Sequence, residues 1–129
     1  MTFDVPLPPR YCSPNAPRGM HWSHKRDAVE QYRNECWVEA YKAIAHTCEP
    51  YPFTKAVINY TFYLRKTAGR YCPKDKDNAI GSMKACQDAM VLAKLFSADD
   101  AKKVSVGTVE LTWPGKGKGF VRVTVEEKT

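Results

Sequence analysis

Two acidic motifs are the part of this sequence best suited to chemistry. The motif Asp75-Lys76-Asp77-Asn78 carries two carboxylates two positions apart, and Asp99-Asp100 is a second acidic pair. In an extended segment, residues i and i+2 point to the same side, so Asp75 and Asp77 are expected to face one point. Two close carboxylates repel each other unless one is protonated or a cation lies between them. Since carboxylate oxygens suit Mg²⁺ or Mn²⁺, the first motif predicts a divalent metal site.

The same residues also have a purely structural interpretation. Asp and Asn are favoured at helix N-caps, and a helix is expected to start at Asp75-Lys76-Asp77-Asn78. The pair Asp99-Asp100 fits a turn or the cap of a short helix, and Asp88 fits a solvated position within a helix. An EF-hand is excluded, because Ala79 and Ile80 stand where its loop needs Asp or Asn and then Gly. On the residues alone, the metal and cap interpretations both stay open.

Basic side chains are numerous and surround the acidic motifs in the sequence. The 129-residue chain has 20 Lys and Arg against 14 Asp and Glu, a formal net charge of +6. This excess favours a polyanionic partner such as DNA, although an ordinary basic surface also fits. Basic residues that hold a polyanion, around acidic residues that hold a metal, together favour a metal-dependent nuclease. The candidates for contacts with the DNA backbone are Arg10, Arg18, Lys25, Arg70, Lys76, Lys116 and Lys118.

The hydrophobic pattern predicts one small α+β domain over residues 1–129. Its expected order is β-α-β-α-β-β, with a mixed sheet packed against two helices. Thr2 to Leu7 is expected to be an edge strand, followed by a proline-rich loop. Ser23 is the expected N-cap of a first helix that runs to about His46. Strand 55–64 then alternates apolar and polar residues, which predicts one buried face.

The C-terminal half is predicted to contain one helix and two strands. The helix follows Asn78 and ends around Leu95, with an apolar stripe formed by Ile80, Met83, Gln87, Met90 and Val91. The strands are expected over 104–113 and 120–125 and are joined by a glycine-rich hairpin loop. Gly107 is expected to mark a β-bulge.

Composition excludes several classes of protein. Apolar residues make up 43% of the chain, which is enough for a packed core. No apolar run approaches the ~20 residues that cross a bilayer, and the start does not resemble a secretory signal, which favours a cytoplasmic protein without membrane contact. The five cysteines fit neither a disulfide framework nor a common zinc site, and Cys36 and Cys86 are expected to be buried. A Walker-type phosphate-binding loop is absent. No small-molecule cofactor is expected.

A series of short motifs extends along nearly the whole chain. In order, these are Leu7-Pro8-Pro9, Ser13-Pro14-Asn15, His21-Trp22, Asp75-Lys76-Asp77-Asn78, Lys84 and Asp88 on the following helix, Asp99-Asp100 and a final β-hairpin. Their order and spacing resemble those of the RusA-type Holliday junction resolvases of phage and prophage origin. The resemblance implies a RusA-like fold and a homodimeric, Mg²⁺-dependent endonuclease that nicks four-way DNA junctions symmetrically.

The resemblance also implies roles for particular residues. Asp75, Asp77 and Asp100 match the metal-binding aspartates of the family, and Asp99 would be a neighbouring acid of lesser importance. Lys84 matches the essential lysine, which would offset charge that develops on the scissile phosphate, with Lys76 as the substitute.

The spacing departs from the family pattern at this lysine. In the family it lies four residues after the second aspartate, where this chain has Gly81, whereas Lys84 lies seven residues after Asp77. Positions four and seven share one face of a helix, so a three-residue insertion before the helix reconciles the two spacings.

Two alternatives to a junction resolvase fit the same residues. One is a less selective nuclease that uses the same carboxylates on flaps or other branched DNA. The other is a catalytically silent protein that binds junctions or duplex DNA, in which the aspartates are helix caps and turns.

Overall fold

The fold is a small α+β domain with a mixed four-stranded sheet and three α-helices, seen in a computed structural model that describes residues 1–14, 22–47, 52–96, 104–113 and 117–128. A short 3₁₀ helix, Arg10–Cys12, follows the first strand. The strands and α-helices in chain order are β1 (Thr2–Pro6), α1 (Trp22–Ala45), β2 (Ala56–Tyr63), α2 (Lys76–Ser82), α3 (Lys84–Leu92), β3 (Val104–Thr112) and β4 (Phe120–Glu127).

The strand order across the sheet is β1-β4-β2-β3. Strands β2 and β3 are parallel and are connected through α2 and α3, as parallel neighbours require a long crossover. Strand β4 runs antiparallel to both β1 and β2, so the prediction of a mixed sheet is confirmed. Strand β1 lies at an edge, as predicted.

The predicted hairpin between the last two strands is wrong. Thr112 at the end of β3 and Phe120 at the start of β4 pair with the same residue, Tyr63, from opposite sides. The end of β3 and the start of β4 are therefore two strand spacings, or ~10 Å, apart. The seven residues 113–119 are long enough to span this distance, and pairing with both β1 and β2 makes β4 a central strand.

The core lies where α1 and α3 cover one face of the sheet. Alternate residues of β2 are buried from Ala56 to Leu64, which confirms the predicted strand. One face of α1 is buried at Tyr32, Cys36, Ala40 and Ile44, and the Tyr32 hydroxyl donates to the Pro6 carbonyl at 2.7 Å. Helix α1 begins at Trp22, so Ser23 lies inside its first turn and is not its N-cap.

The second predicted helix is two helices, so the domain has three α-helices instead of two. Met83 separates α2 from α3 with φ −98° and ψ 9°, values outside the helical region. The break changes which residues face the core: Ile80 is 38% exposed, whereas Ala79 and Met83 are buried. As a result, α2 packs against β3 while α3 packs against α1.

Gly107 forms the predicted β-bulge in β3. Ile58 pairs with Val106 but Tyr60 pairs with Val109, so β3 contains one extra residue at this point. A Cβ atom at Gly107 would overlap the side chains of Asn59 and Val57. Only glycine therefore allows β3 to approach β2 so closely at the bulge.

Two cysteines in the interior agree with expectation. Cys36 and Cys86 are fully buried and unpaired by disulfide, as expected for small apolar side chains. Within the described ranges, no helix combines the length and apolar character needed to cross a membrane.

Candidate functional site

The candidate site lies around the connection between β2 and α2. Because β2 and β3 are parallel, their carboxyl ends meet at one edge of the sheet, where α/β proteins commonly bind ligands. The connection is held against the chain that follows β1. The Tyr71 N–H donates to the Pro8 carbonyl at 2.8 Å, and the Arg10 N–H donates to the Gly69 carbonyl at 3.0 Å.

Asp75 is the N-cap of α2. Its backbone is extended, its Oδ1 accepts from the Asn78 N–H at 2.8 Å, and its Oδ2 accepts from the Asn78 Nδ2 at 2.9 Å. The cap interpretation of Asp75 is therefore confirmed. The argument that Asp75 and Asp77 share one side of an extended segment is wrong, because α2 begins at Lys76 and Asp77 lies in its first turn.

The donor atoms at the start of α2 fit a hard divalent cation. A carboxylate offers about four lone-pair positions, so Asp75 keeps acceptor capacity beyond its two hydrogen bonds. Mg²⁺ is commonly held by one or two carboxylates together with substrate phosphates, and Asp75 and Asp77 are both exposed. Among the described side chains, no three His, Cys, Asp or Glu residues form a metal-binding group. Asp99 and Asp100 lie outside the described residues.

Asp77 lines a cleft of about 420 Å³ between α2 and the bulged part of β3. Lys76 and Ile80 form the helical side of this cleft, and residues Gly107 to Glu110 form the strand side. The cleft therefore brings Asp77 together with one predicted basic residue, Lys76. It also adds an acidic residue, Glu110, that the sequence pattern does not single out because the bulge changes the alternation along β3.

Lys84 lies in a different environment from Asp77. Its Nζ is 3.2 Å from Asp88 Oδ1, one turn further along α3. Both residues line a second cavity, of about 330 Å³, which also contains Lys25. In the part of the chain that the structure describes, the linings of this cavity and of the Asp77 cleft share no residue. The structure therefore brings Lys76, and not Lys84, into the cleft of Asp77.

Gly81 occupies the position at which the resembled family carries its lysine. A Cβ atom at Gly81 would lie 2.6 Å from Pro14 Cγ. Any side chain at this position would therefore require Pro14 to move.

The remaining predicted basic residues have mixed surroundings. Arg70 donates from Nη1 to the Leu7 carbonyl at 2.9 Å. The same nitrogen lies 3.8 Å from Glu35 Oε2. Arg70 therefore connects the β2–α2 connection to the residue after β1 and to α1. Arg10 lies over the ring of Tyr11 at 5.3 Å. Lys25, Lys76 and Lys118 are exposed, whereas Arg18 and Lys116 lie outside the described residues.

A third cavity, of about 360 Å³, lies at the carboxyl ends of β2 and β3. Trp113, which is 62% exposed, contributes the largest side chain, and two lysines, Lys66 and Lys74, contribute positive charge. The sequence signal for this cavity is a tryptophan directly after a strand, but its proximity to Lys74 depends on the parallel pairing of β2 and β3. The full lining is Leu64, Lys66, Cys72, Pro73, Lys74, Leu111 and Trp113.

Cys12 lines the cavity of Lys84 but is a poor nucleophile. Burial and, to a smaller extent, the nearby Cys36 raise the pKa of its thiol to about 11, against smaller opposing effects of Lys25 and Arg70. Because the thiolate is the reactive form, Cys12 stays protonated and unreactive near neutral pH.

Substitutions of Asp75 should separate its two possible roles. Asp75→Ala removes the cap of α2 and is expected to lower the free energy of unfolding by about 1 kcal/mol, whereas Asp75→Asn keeps a capping oxygen and stays close to wild type. Both variants remove the charge that a divalent cation needs. Urea denaturation and a cleavage assay on both variants test this: equal stability of the two variants would contradict the capping role.

Sequence comparisons with protein families and with curated proteins do not assign a function to this chain. A scan of the sequence against protein-family models finds no match, and no curated protein matches the chain.

Proposed function

We propose that the protein is a Mg²⁺-dependent endodeoxyribonuclease that cuts four-way DNA junctions by paired, symmetric nicks. The observation that carries the proposal is that Asp75 and Asp77 alternate with two lysines, each of which lines a cavity. Lys74, just before Asp75, lines the Trp113 cavity, and Lys76 lines the cleft of Asp77. Acidic residues that interrupt a cationic surface suit a site where a DNA backbone meets a metal ion.

The mechanism assigns a separate task to each residue at the start of α2. Asp75 and Asp77, together with Asp100, would hold Mg²⁺ (or Mn²⁺), and the bound cation supplies Lewis-acid polarisation of the scissile phosphate. Asn78 holds the Asp75 carboxylate in one orientation through two hydrogen bonds. Lys76 would balance the negative charge that develops on the phosphate, since it lines the same cleft as Asp77.

The proposed enzyme is a homodimer whose two-fold symmetry matches that of its DNA substrate. A four-way junction has nearly two-fold symmetry, and a homodimer would present the same cleft twice, which allows one nick on each of two strands. The resemblance to RusA-type resolvases supports this arrangement. A nuclease of this kind would act in the cytoplasm of a bacterial or phage-infected cell, without a membrane or a small-molecule cofactor.

A gel assay with a synthetic four-way junction and a linear duplex of matching sequence tests the proposal. Each DNA is incubated with the protein in Mg²⁺ or in EDTA. The expected result is symmetric nicking of the junction alone, and only in Mg²⁺. Equal cleavage of flaps and other branched substrates would instead indicate a less selective nuclease.

One observation favours a second candidate, a protein that binds branched DNA without cutting it. Asp75 has a complete structural role as a helix cap, so its presence does not by itself require a metal. For such a protein, the junction would stay intact in a retarded complex both in Mg²⁺ and in EDTA. That result would overturn the nuclease proposal.

A further inference from the structure

We propose that the Trp113 cavity binds one unstacked base of branched DNA and so places the strand next to Asp75. This inference rests on the proposed function, because it deepens the recognition of the same substrate. Trp113 exposes 62% of its surface at the end of β3. An exposed indole is a favourable platform for a nucleobase, since every base offers a π face and stacking tolerates any sequence.

The apolar walls of the cavity are held in place by the sheet. The Leu64 N–H donates to the Thr112 carbonyl at 2.7 Å, which continues the pairing of the two strand ends up to the residue before Trp113. Leu64 is only 2% exposed, and Leu111 packs against the core beside it. The wall opposite a stacked base is therefore formed before DNA arrives, which reduces the entropy lost on binding.

The loops on either side of the cavity are also connected to each other. The Arg65 guanidinium donates to the Gly117 carbonyl and so links the β2–α2 connection to the β3–β4 connection. The Cys72 thiol donates to the Arg65 carbonyl at 3.4 Å, and this contact holds two parts of the β2–α2 connection together. These contacts fix Lys66 and Lys74 on segments that flank the indole.

The charge of the cavity complements a nucleic-acid strand. Lys66 and Lys74 are both exposed, and the residues that the structure describes in the lining include no acidic side chain. A base stacked on Trp113 would bring its flanking phosphates towards these two ammonium groups. An aromatic platform between cationic side chains is the combination that single-stranded nucleic acids require.

The location of the cavity explains why a branch would be preferred. In a closed duplex both faces of each base are stacked, so no base is available to Trp113 without an energetic cost. A branch point or a single-stranded end supplies such a base. Since Lys74 lines the cavity and Asp75 follows it directly, the captured strand would continue past the acidic residues at the start of α2.

Trp37 provides a matched control for the removal of an exposed tryptophan. It is 38% exposed on α1, where its ring stacks on Tyr41 with centroids 5.2 Å apart. One face of its indole is thus already covered by the Tyr41 ring. Trp37 is therefore a less accessible stacking platform than Trp113, which is 62% exposed.

The test measures DNA affinity by fluorescence anisotropy in EDTA, where no cleavage occurs. The probes are a labelled single-stranded oligonucleotide, a four-way junction and a closed duplex. Trp113→Ala is expected to weaken binding of the first two about tenfold, the loss typical of one base–aromatic stack, and to leave duplex binding unchanged. Trp113→Phe should retain most of the affinity, and Trp37→Ala should bind all three DNAs as the wild type does.

Two outcomes would overturn the base-binding proposal. One is unchanged affinity of Trp113→Ala for all three DNAs, and the other is an equal loss for the duplex. Thermal denaturation of each variant establishes that it is folded, and the Phe variant replaces the Ala variant if the latter is not. If Trp113 strengthens binding of single strands and junctions but no DNA is cut, the base site is supported and the proposed function is overturned. If the junction is cut but Trp113 does not affect binding, the proposed function is supported and the base site is overturned.

Discussion

Asp77→Asn is expected to reduce Mg²⁺-dependent nicking of a four-way junction by about 10²–10³-fold, the size of effect seen when one electrostatic group is removed from an active site. The amide has nearly the same shape as the carboxylate but lacks the charge that a cation requires. Asp77 is exposed and is not the cap of α2, so the variant should fold normally. Nicking rates at saturating protein, with and without Mg²⁺, measure the effect.

Asp88→Asn is the matched control for this substitution. It makes the same chemical change on α3, where Asp88 pairs with Lys84 and lines a different cavity. Its nicking rate should stay within a factor of two or so of wild type, as expected for a surface substitution away from the site. A loss as large as that of Asp77→Asn would move the active site to the Lys84 cavity.

Junction binding by the Asp77→Asn variant gives an independent check. Removing a carboxylate that faces phosphates relieves electrostatic repulsion, so the affinity in EDTA should equal or exceed that of the wild type. Much weaker binding would contradict a role of Asp77 in holding a cation beside the DNA backbone.

Gly107→Ala is expected to lower the free energy of unfolding by about 2 kcal/mol, within the range for overpacked interiors. The new methyl group would overlap the side chains of Asn59 and Val57. Moving Asn59 would also break its bond with β3, where Asn59 Oδ1 accepts from the Thr108 N–H at 2.8 Å. Urea denaturation monitored by circular dichroism measures the loss.

Thr108→Ala is the appropriate control, because the bond to Asn59 uses the backbone N–H of Thr108 and survives the substitution. Its midpoint of denaturation should lie close to that of wild type. If Gly107→Ala were as stable as Thr108→Ala, β3 would be able to move away from β2, and the close approach at the bulge would not be a requirement of the fold. Because Gly107 also lines the cleft of Asp77, such a movement would be visible as a change in nicking rate.

Local patterns predict burial well but predict strand neighbours poorly. The alternation in β2 and the bulge at Gly107 are both as expected, because each depends on side-chain chemistry within one segment. The hairpin prediction fails because a Pro- and Gly-rich loop indicates a change of direction without specifying the partner strand. In the structure, β4 pairs with β1 and β2, and β3 pairs with β2.

The candidate site shows the same difference between local features, which the sequence predicts, and neighbours from distant segments, which it does not predict. The cap at Asp75 is foreseeable from residue types, since Asp and Asn at this spacing favour a helix start. The neighbours of Asp77 cannot be foreseen from residue types, because its cleft lies between α2 and β3, whose lining residues are about thirty positions apart in the sequence. The break at Met83, which turns Lys84 towards Lys25 and Asp88, likewise depends on packing between helices.

The position of β4 has a consequence for how the chain folds during synthesis. Of the described strands, β1 pairs with β4 alone, and Thr2 lies opposite Thr124, 122 positions later. Until residues 120–127 emerge from the ribosome, β1 has no partner and β2 exposes an open edge to other nascent chains. Contacts so distant in sequence form slowly, so the nascent domain passes through an interval in which premature pairing of its edges competes with correct folding.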